Sequence, residues 1–410
     1  MKPRRVVVTG IGMVTPFGVG REVFWSQAVA GHSATRLVQA FDASGFRSQA
    51  VGECPDFDPL TIVSANEVNR LDRFSLFALA AAREAVEDSG LTVDPERAGI
   101  VLGNGMGGAV IADQQREVSA TKGPRYINPL TVPIAMSNAA AAQVGMRYGL
   151  RGPSLTISTA CASGANAIGE AYRMIVDDRA DIMLAGGTEA AISRGIYLVW
   201  DALRVMAQRN SDPAGASRPF DKDRTGFVMA EGSAILVLEE LSRAVARGAP
   251  IYAELAGYGC TNDAHHITRP SLEGETTGIR LALRDAGVTP EAVDYVNAHG
   301  TATAANDVTE TLALKTVFGE RAAQIPISST KSMIGHSIGA AGAIEAACTC
   351  LTIQRRVITP TINLATPDPE CDLDYVPNHS RPADIEVAIS NSFGFGGSNA
   401  ILVMRRLASV

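Results

Sequence analysis

One cysteine and two histidines carry the strongest chemical signal in this chain. Cys161 sits where the apolar run Leu155-Thr-Ile-Ser158 turns sharply at Thr159-Ala160 into a Gly/Ala-rich helix. A helix start presents free backbone N–H groups and partial positive charge, and both favour the reactive thiolate. The small neighbours Ala160, Ala162, Ser163 and Gly164 leave room for a substrate chain. An inert buried thiol is the commoner fate of a cysteine, and position alone leaves both readings open. His299 follows a strand in Asn297-Ala-His-Gly-Thr301, and His336 precedes a helix in Lys331-Ser-Met-Ile-Gly-His336. A lone histidine is usually a structural hydrogen-bonder; two of them at strand ends on the side of Cys161 bring the functional reading level with that one.

One Cys and two His are no zinc set, because a fourth ligand is missing and the spacing is wrong. They suit carbon–carbon bond formation through a thioester. The cysteine accepts an acyl group. Two imidazole N–H groups then hold the oxygen of a second thioester while its carboxylate leaves as CO2. One such donor at a developing oxyanion is worth ~3–4 kcal/mol. Lys331 is placed to supply positive potential and orient His336, and Glu345 to pair with Lys331. A surface lysine and a helix-surface carboxylate are the ordinary alternatives. The glycine-rich loop Asn391-Ser-Phe-Gly-Phe-Gly-Gly-Ser-Asn399 can offer a backbone N–H to an oxyanion, and Phe393 or Phe395 can swing across a cavity. The loop precedes a strand and not a helix, which argues against nucleotide binding.

The elements that must position these residues repeat. Arg83-Glu-Ala-Val-Glu-Asp-Ser-Gly-Leu-Thr92 resembles Arg280-Leu-Ala-Leu-Arg-Asp-Ala-Gly-Val-Thr289, each a helix end closed by Gly. The strands Gly99–Leu102 and Val293–Val296 follow, and each runs into a Gly loop. Cys161–Ala171 then resembles His336–Ala346, with Gly164 matching Gly339 and Glu170 matching Glu345. In this pairing the counterparts of His299 and His336 are Asn104 and Cys161. The chain reads as a duplicated α/β unit whose halves, 1–250 and 251–410, meet near residue 250 and share one core. Alternating strands and helices imply mainly parallel sheets covered by helices.

Composition narrows the class. The profile is 46% apolar and 19% charged, which is globular and not disordered. A net charge of -7 gives no sign of a nucleic-acid binder. The six cysteines form no CxxC pair, so a reducing cytoplasm fits better than a disulfide framework. Met1-Lys-Pro-Arg-Arg5 followed by Val6–Thr9 faintly mimics a signal peptide, but Gly10 interrupts the run, and a first buried strand is expected. No apolar run is long enough to span a bilayer.

Taken together, these motifs resemble the β-ketoacyl-[acyl carrier protein] synthases, most closely the synthase II type. The resemblance covers essentially the whole chain. It runs through Val6-Val-Val-Thr-Gly-Ile-Gly12, Thr159-Ala-Cys-Ala-Ser-Gly164, Arg218-Pro-Phe-Asp221, Asn297-Ala-His-Gly-Thr301, Ser329-Thr-Lys-Ser332, Gly335-His336 and Asn391-Ser-Phe-Gly-Phe-Gly-Gly397. It implies a thiolase-like α/β fold of two pseudo-equivalent βαβαβαββ halves, layered α-β-α-β-α. It implies Cys161 as the acylated nucleophile and His299 and His336 as the decarboxylation pair, supported by Lys331 and Glu345. The backbone N–H groups of Cys161 and Phe395 would form the oxyanion hole, with Phe395 and Phe393 at the gate. Thr301 and Thr303 match positions on the pantetheine arm, and Met106, Thr131 and Trp200 match the acyl-binding region. The implied partners are an acyl carrier protein, whose phosphopantetheine arm delivers the substrates without any further cofactor, and a second copy or a chain-length factor. Arg70, Arg73, Arg125, Arg204 and Arg209 are candidate contacts for the acidic carrier, with solvated arginines as the ordinary alternative.

Three departures bear on the substrate. Thr301-Ala-Thr-Ala-Ala-Asn-Asp307 lacks the Pro and Gly usual before the Asp in housekeeping synthases, and its ending resembles ketosynthases of type II polyketide or nodulation-lipid systems. Leu130-Thr131-Val132-Pro133 replaces a Phe-rich stretch at the dimer-shared end of the acyl pocket. Val205-Met-Ala-Gln208 replaces Ala-Leu-Ser-Thr. Other classes fit less well. A thiolase needs a second active cysteine where this chain has Phe393–Ser398, and a priming synthase has Asn where this chain has His336. A chain-length factor lacks the nucleophile, and nothing specific points to a cysteine hydrolase.

Overall fold

Ten strands and six helices build the frame in the computed structural model, which describes residues 4–92 and 94–407; Met1–Pro3 of the basic N-terminal segment lie outside it. The strands are β1 (Val6–Thr15), β2 (Ala98–Gly103), β3 (Ser154–Ile157), β4 (Ile182–Glu189) and β5 (Gly232–Glu240), then β6 (Ala253–Asn262), β7 (Tyr295–Asn297), β8 (Ile327–Ser328), β9 (Val387–Gly394) and β10 (Ser398–Arg405). The order across the sheet is β8-β7-β9-β10-β6-β1-β5-β4-β2-β3. Read outward from the β1–β6 junction, the second five strands repeat the order of the first five. The directions repeat too. β2 is parallel to β3 and β4, while β5 is antiparallel to β4 and β1. β7 is parallel to β8 and β9, while β10 is antiparallel to β9 and β6. The sheets are therefore mixed, against the expectation of mainly parallel ones. Each half ends by folding its last strand back beside the strand before it, which a helix-connected crossover would not do.

The helices are α1 (Arg73–Ser89), α2 (Ala139–Tyr148), α3 (Ser163–Val176), α4 (Leu272–Ala286), α5 (Ala304–Phe318) and α6 (Ala341–Arg355). α1 and α2 cover the first five strands, α4 and α5 the second five, and α3 and α6 lie between the two sets. That gives five layers, α-β-α-β-α. α1 and α4 are both closed by a left-handed glycine, Gly90 and Gly287, as the repeated sequence implies. Ala341 to Ile353 of α6 is buried on every side. A helix apolar all round belongs in an interior, and Glu345 is the one charged residue in that stretch.

α3 and α6 touch through their glycines. A Cβ on Gly164 would lie 2.9 Å from Ala343 N, and a Cβ on Gly342 would lie 2.9 Å from Ala165 N. The contacts are reciprocal, so Gly164 matches Gly342, three residues beyond the partner expected from sequence. The turns ahead of the helices agree. Ala160–Ala162 and Ile338–Ala340 are both single 3-10 turns opened by a residue with positive φ, 51° at Ala160 and 46° at Ile338. Cys161 therefore corresponds to Gly339 and not to His336. Helix positions three apart share a face, so Gly/Ala-rich helices match nearly as well one turn out of register.

Two alanine substitutions separate close approach from open space. Gly342→Ala should destabilise the protein by ~1–3 kcal/mol, since its methyl meets Ala165 and Ser392 below 3.0 Å. Gly145→Ala in α2, whose nearest new contact is 4.0 Å away, should stabilise it by about 0.5–1 kcal/mol. Denaturant melts of the two variants measure both signs; a neutral Gly342→Ala would contradict the close helix contact.

Candidate active site

Each reactive side chain leaves the frame at the edge where strands end. Cys161 follows β3 in the 3-10 turn before α3, so it opens the helix as expected, one short turn earlier. His299 follows β7, and its N–H and that of Gly300 both donate to Glu310 of α5, each at 2.8 Å. Glu189 at the end of β4 accepts N–H groups from Gly105 and Met106 in the same way. His336 stands clear of any helix. Its N–H donates to Val228 O at 2.7 Å and its carbonyl accepts from Ala230 N at 2.9 Å, so a short bridge pins it in extended form.

The three side chains converge. His336 Nε2 lies 3.0 Å from Cys161 Sγ. The His299 and His336 rings meet edge to face with centroids 5.5 Å apart. Phe393 packs on His299 at 5.8 Å, and Phe227, which the sequence reading did not single out, packs on His336 at 5.3 Å. Lys331 is buried; its ammonium donates to His299 O at 2.7 Å, forms an ion pair with Glu345, and lies 3.4 Å from His299 Nδ1. An ammonium only donates, so His299 Nδ1 is an acceptor and its ring proton sits on Nε2. Lys331 therefore orients His299, where the sequence reading had assigned it to His336. Neighbours in sequence proved a poorer guide than the fold, which turns the lysine back towards β7.

The charges follow from burial. Desolvation first, then the Lys331 charge, holds both imidazoles well below the ordinary histidine range, so both are neutral. Burial pushes the Glu345 carboxyl up to about 7 against the pull of Lys331. Burial also pushes the Cys161 thiol up to about 11, although Lys331 and the Phe395 N–H facing the sulfur work the other way. The expected thiolate is corrected: desolvation outweighs the helix start. At rest the pair is a thiol and a neutral imidazole, and His336 Nε2 is placed to take the thiol proton.

One cavity of about 160 Å³ joins these groups. It is lined by Cys161, His299, His336, Thr301, Thr303, Trp200, Phe393 and Phe395 among others. Thr301 and Thr303 share a hydroxyl–hydroxyl hydrogen bond of 2.9 Å. Asp307, the Asp of the departing motif, holds this loop by accepting from Thr301 N and Phe220 N. The Phe395 ring stacks on Trp200 at 6.1 Å. Gly394 crosses so close to Cys161 that a Cβ there would lie 3.3 Å from Cys161 N. Two expected pocket residues fall outside this lining. Met106 has its backbone N–H tied to Glu189, and Thr131 lies in the short helix Thr131–Ala135 with its hydroxyl on Asn128 O.

Of the candidate carrier contacts, Arg70, Arg125, Arg204 and Arg209 are exposed. Arg209 already pairs with Asp212 at 3.0 Å. Arg73 is corrected to a structural residue, because it pairs with Glu231 at 2.7 Å and stacks over Phe77 at 4.7 Å. Cys161, His299 and His336 are also the group among the described residues close enough to share a metal ion, with ligand atoms within 4.8 Å of one another. The Lys331 ammonium beside His299 opposes a second cation there.

The comparisons bear on what such a site is for. The family model "Beta-ketoacyl synthase, N-terminal domain" matches residues 3–244, and "Beta-ketoacyl synthase, C-terminal domain" matches 252–365. The chain belongs to the β-ketoacyl synthase family. This synthase is 46% identical, over 99% of both chains, to "3-oxoacyl-[acyl-carrier-protein] synthase 2" of Synechocystis sp.. Among solved structures it matches the ketosynthase of AntDE:AntF, a type II PKS acyl-carrier protein in complex with its ketosynthase, at 39% identity and TM-score 0.91 over 99% of this chain and 100% of that one. It matches "The ishigamide ketosynthase/chain length factor" at 37% identity and TM-score 0.94, with the same coverage. The thiolase-like α/β fold and the acyltransferase class expected from the motifs both hold.

The pair Lys331–Glu345 gives a test of this burial. Glu345→Ala leaves a buried ammonium unpaired and should cost about 3–5 kcal/mol of stability. The double variant Lys331→Met/Glu345→Leu should recover most of it; equal losses in single and double variants would contradict the pairing. Alkylation of Cys161 by iodoacetamide should keep accelerating above pH 9, because its thiol titrates at about 11. A rate that levels off below pH 8 would contradict the raised thiol.

Proposed function

We propose that this synthase is a 3-oxoacyl-[acyl carrier protein] synthase that extends acyl chains in fatty acid biosynthesis. The observation that carries the reading is the joint burial of Cys161 with two neutral imidazoles in one cavity. Cys161 gives its proton to His336 and attacks the acyl thioester of the carrier protein. The carrier sulfur leaves as a thiol by taking that proton back from His336, and the acyl group stays on the Cys161 sulfur. The N–H groups of Cys161 and Phe395 hold the tetrahedral oxyanion. The malonyl thioester then enters past Thr301 and Thr303. His336 Nδ1 has no hydrogen-bond partner among the described residues, so once the sulfur is acylated the neutral ring can carry its proton on Nε2 instead. His299 and His336 then both hold the malonyl carbonyl oxygen from Nε2 while the C–C bond to the carboxylate breaks and CO2 leaves. The enolate carbon attacks the Cys161 thioester, the new C–C bond forms, and the Cys161 sulfur departs as a thiolate that takes a proton from water. The product is a 3-oxoacyl chain on the carrier. Neutral imidazoles suit this step, since a donor is needed at the enolate and a charged ring is not.

The substrates need no further cofactor in this reading. The frame supports a division into halves 1–250, carrying Cys161, and 251–410, carrying His299, Lys331, His336 and the gating loop. A second copy of the chain completes the acyl end of the pocket around Met106 and Thr131. β3 lies at the free edge of the sheet, and Val132, Met136, Leu155, Leu198 and Val199 are exposed apolar side chains of this half. Such an edge calls for a partner. Exposed Arg70, Arg204 and Arg209 offer contacts for an acidic carrier. Six unpaired cysteines and the lack, among the described residues, of a helix fit to cross a membrane support work in the cytoplasm.

A second reading has one specific observation behind it. Asn306, from the motif that resembles specialised systems, lines the cavity; one solved relative is the ketosynthase of a type II PKS, and another is a ketosynthase/chain length factor. In that reading the chain works on polyketide, polyene or nodulation-lipid intermediates, beside a chain-length factor.

Cys161→Ala should abolish condensation of acyl and malonyl carrier protein; unchanged turnover would remove the nucleophile assignment. His336→Ala should still form acyl-Cys161 at a reduced rate yet release no 3-oxoacyl product. Mass spectrometry of products from saturated and polyunsaturated primers separates the two readings, and saturated primers should be extended at least tenfold faster if the fatty-acid reading holds.

A further inference from the structure

The cavity floor is buried, while its rim is exposed and basic. Arg269 and His266 lie on the loop between β6 and α4 and line the same cavity as Cys161. Arg269 is exposed, and no carboxylate of the described residues pairs with it within 4 Å. The one carboxylate lining the cavity, Asp263, is already committed, accepting from Asn399 Nδ2 at 2.7 Å and Ser271 N at 3.0 Å. His266 Nδ1 accepts the backbone N–H groups of Thr268 at 3.1 Å and Arg269 at 3.2 Å. That use of Nδ1 places the neutral ring's proton on Nε2, so His266 presents a fixed donor. The loop is tied to the gate at two points: Gly396 N donates to Ile267 O at 2.7 Å and Asp263 N to Gly397 O at 2.8 Å. An exposed guanidinium with no carboxylate partner, three residues along from an oriented imidazole donor on the lining of one cavity, suits an oxyanion of phosphorus.

We propose that Arg269, with His266 beside it, holds the phosphodiester of the substrate's phosphopantetheine arm at the cavity mouth. This rests on the carrier-protein reading above and names the group that fixes the arm's outer end. The arm then runs inward past Thr301 and Thr303, with its thioester over Cys161. The site is built from this chain's own loop, so it acts on the arm itself and needs no contact with the carrier's protein surface.

The test uses two small acyl donors and the full-length synthase. One is an acyl-S-pantetheine; the other is its phosphate methyl ester, which carries the single charge of a carrier-bound arm. The rate of Cys161 acylation by each is followed by intact mass. The wild type should prefer the phosphodiester donor roughly tenfold, the worth of one charge-assisted hydrogen bond. Arg269→Gln should bring that ratio close to one, and Arg269→Lys should restore part of it. Equal use of both donors by the wild type, or an unchanged ratio in Arg269→Gln, overturns the assignment while leaving the synthase reading intact. If neither donor nor an acyl carrier protein acylates the wild type, the synthase reading falls and this assignment with it.

Discussion

Two helices meet at Gly164 and Gly342 without side chains between their backbones. Everything catalytic hangs on that contact. It draws the starting turns of α3 and α6 together, and with them the strand ends of both halves. Cys161 comes from one half and His299 and His336 from the other, yet their reactive atoms share one cavity, with the Lys331 ammonium beside His299. A larger residue at either glycine would push the helices apart, and a displacement of even 1 Å at a catalytic contact is costly. The duplicated fold is thus a way to aim two strand-end sites at one point.

Burial then sets the protonation states. A buried cysteine beside buried histidines is commonly read as a thiolate–imidazolium pair. Here desolvation keeps all three neutral, and the ion pair beside them is Lys331 with Glu345. Lys331 acts mainly as a brake on imidazole protonation and as the group that fixes the His299 tautomer. The site is poised to give hydrogen bonds to an oxygen that becomes charged, and it holds that readiness without a resting charge of its own on the histidines.

Much of this was legible in the sequence, for a physical reason. The motifs around Cys161, His299, Lys331 and Asn391–Gly397 sit at strand ends and turns, where few residue types satisfy the geometry. The duplication was legible at α1 and α4, because a left-handed glycine punctuates each helix end. It was misread by one turn at α3 and α6, where small residues repeat with helical period and one register looks much like the next. The thiolate expectation failed because a sequence shows a helix start but not the depth at which it is buried. Glu310 and Glu189, which hold the backbone at His299 and Gly105, went unnoticed for the same reason, since a helix or strand-end carboxylate reads as surface until the fold is known. Phe227 gave no signal beyond being apolar.

The most direct measurement is a single turnover followed by intact mass and trapped CO2. The synthase is first loaded with an acyl carrier protein, then mixed with malonyl carrier protein. The acyl mass should map to Cys161 alone, and its loss should match CO2 release and 3-oxoacyl formation one for one. An acyl group found on another residue, or CO2 released while the acyl mass stays in place, would contradict the Cys161–His299–His336 site.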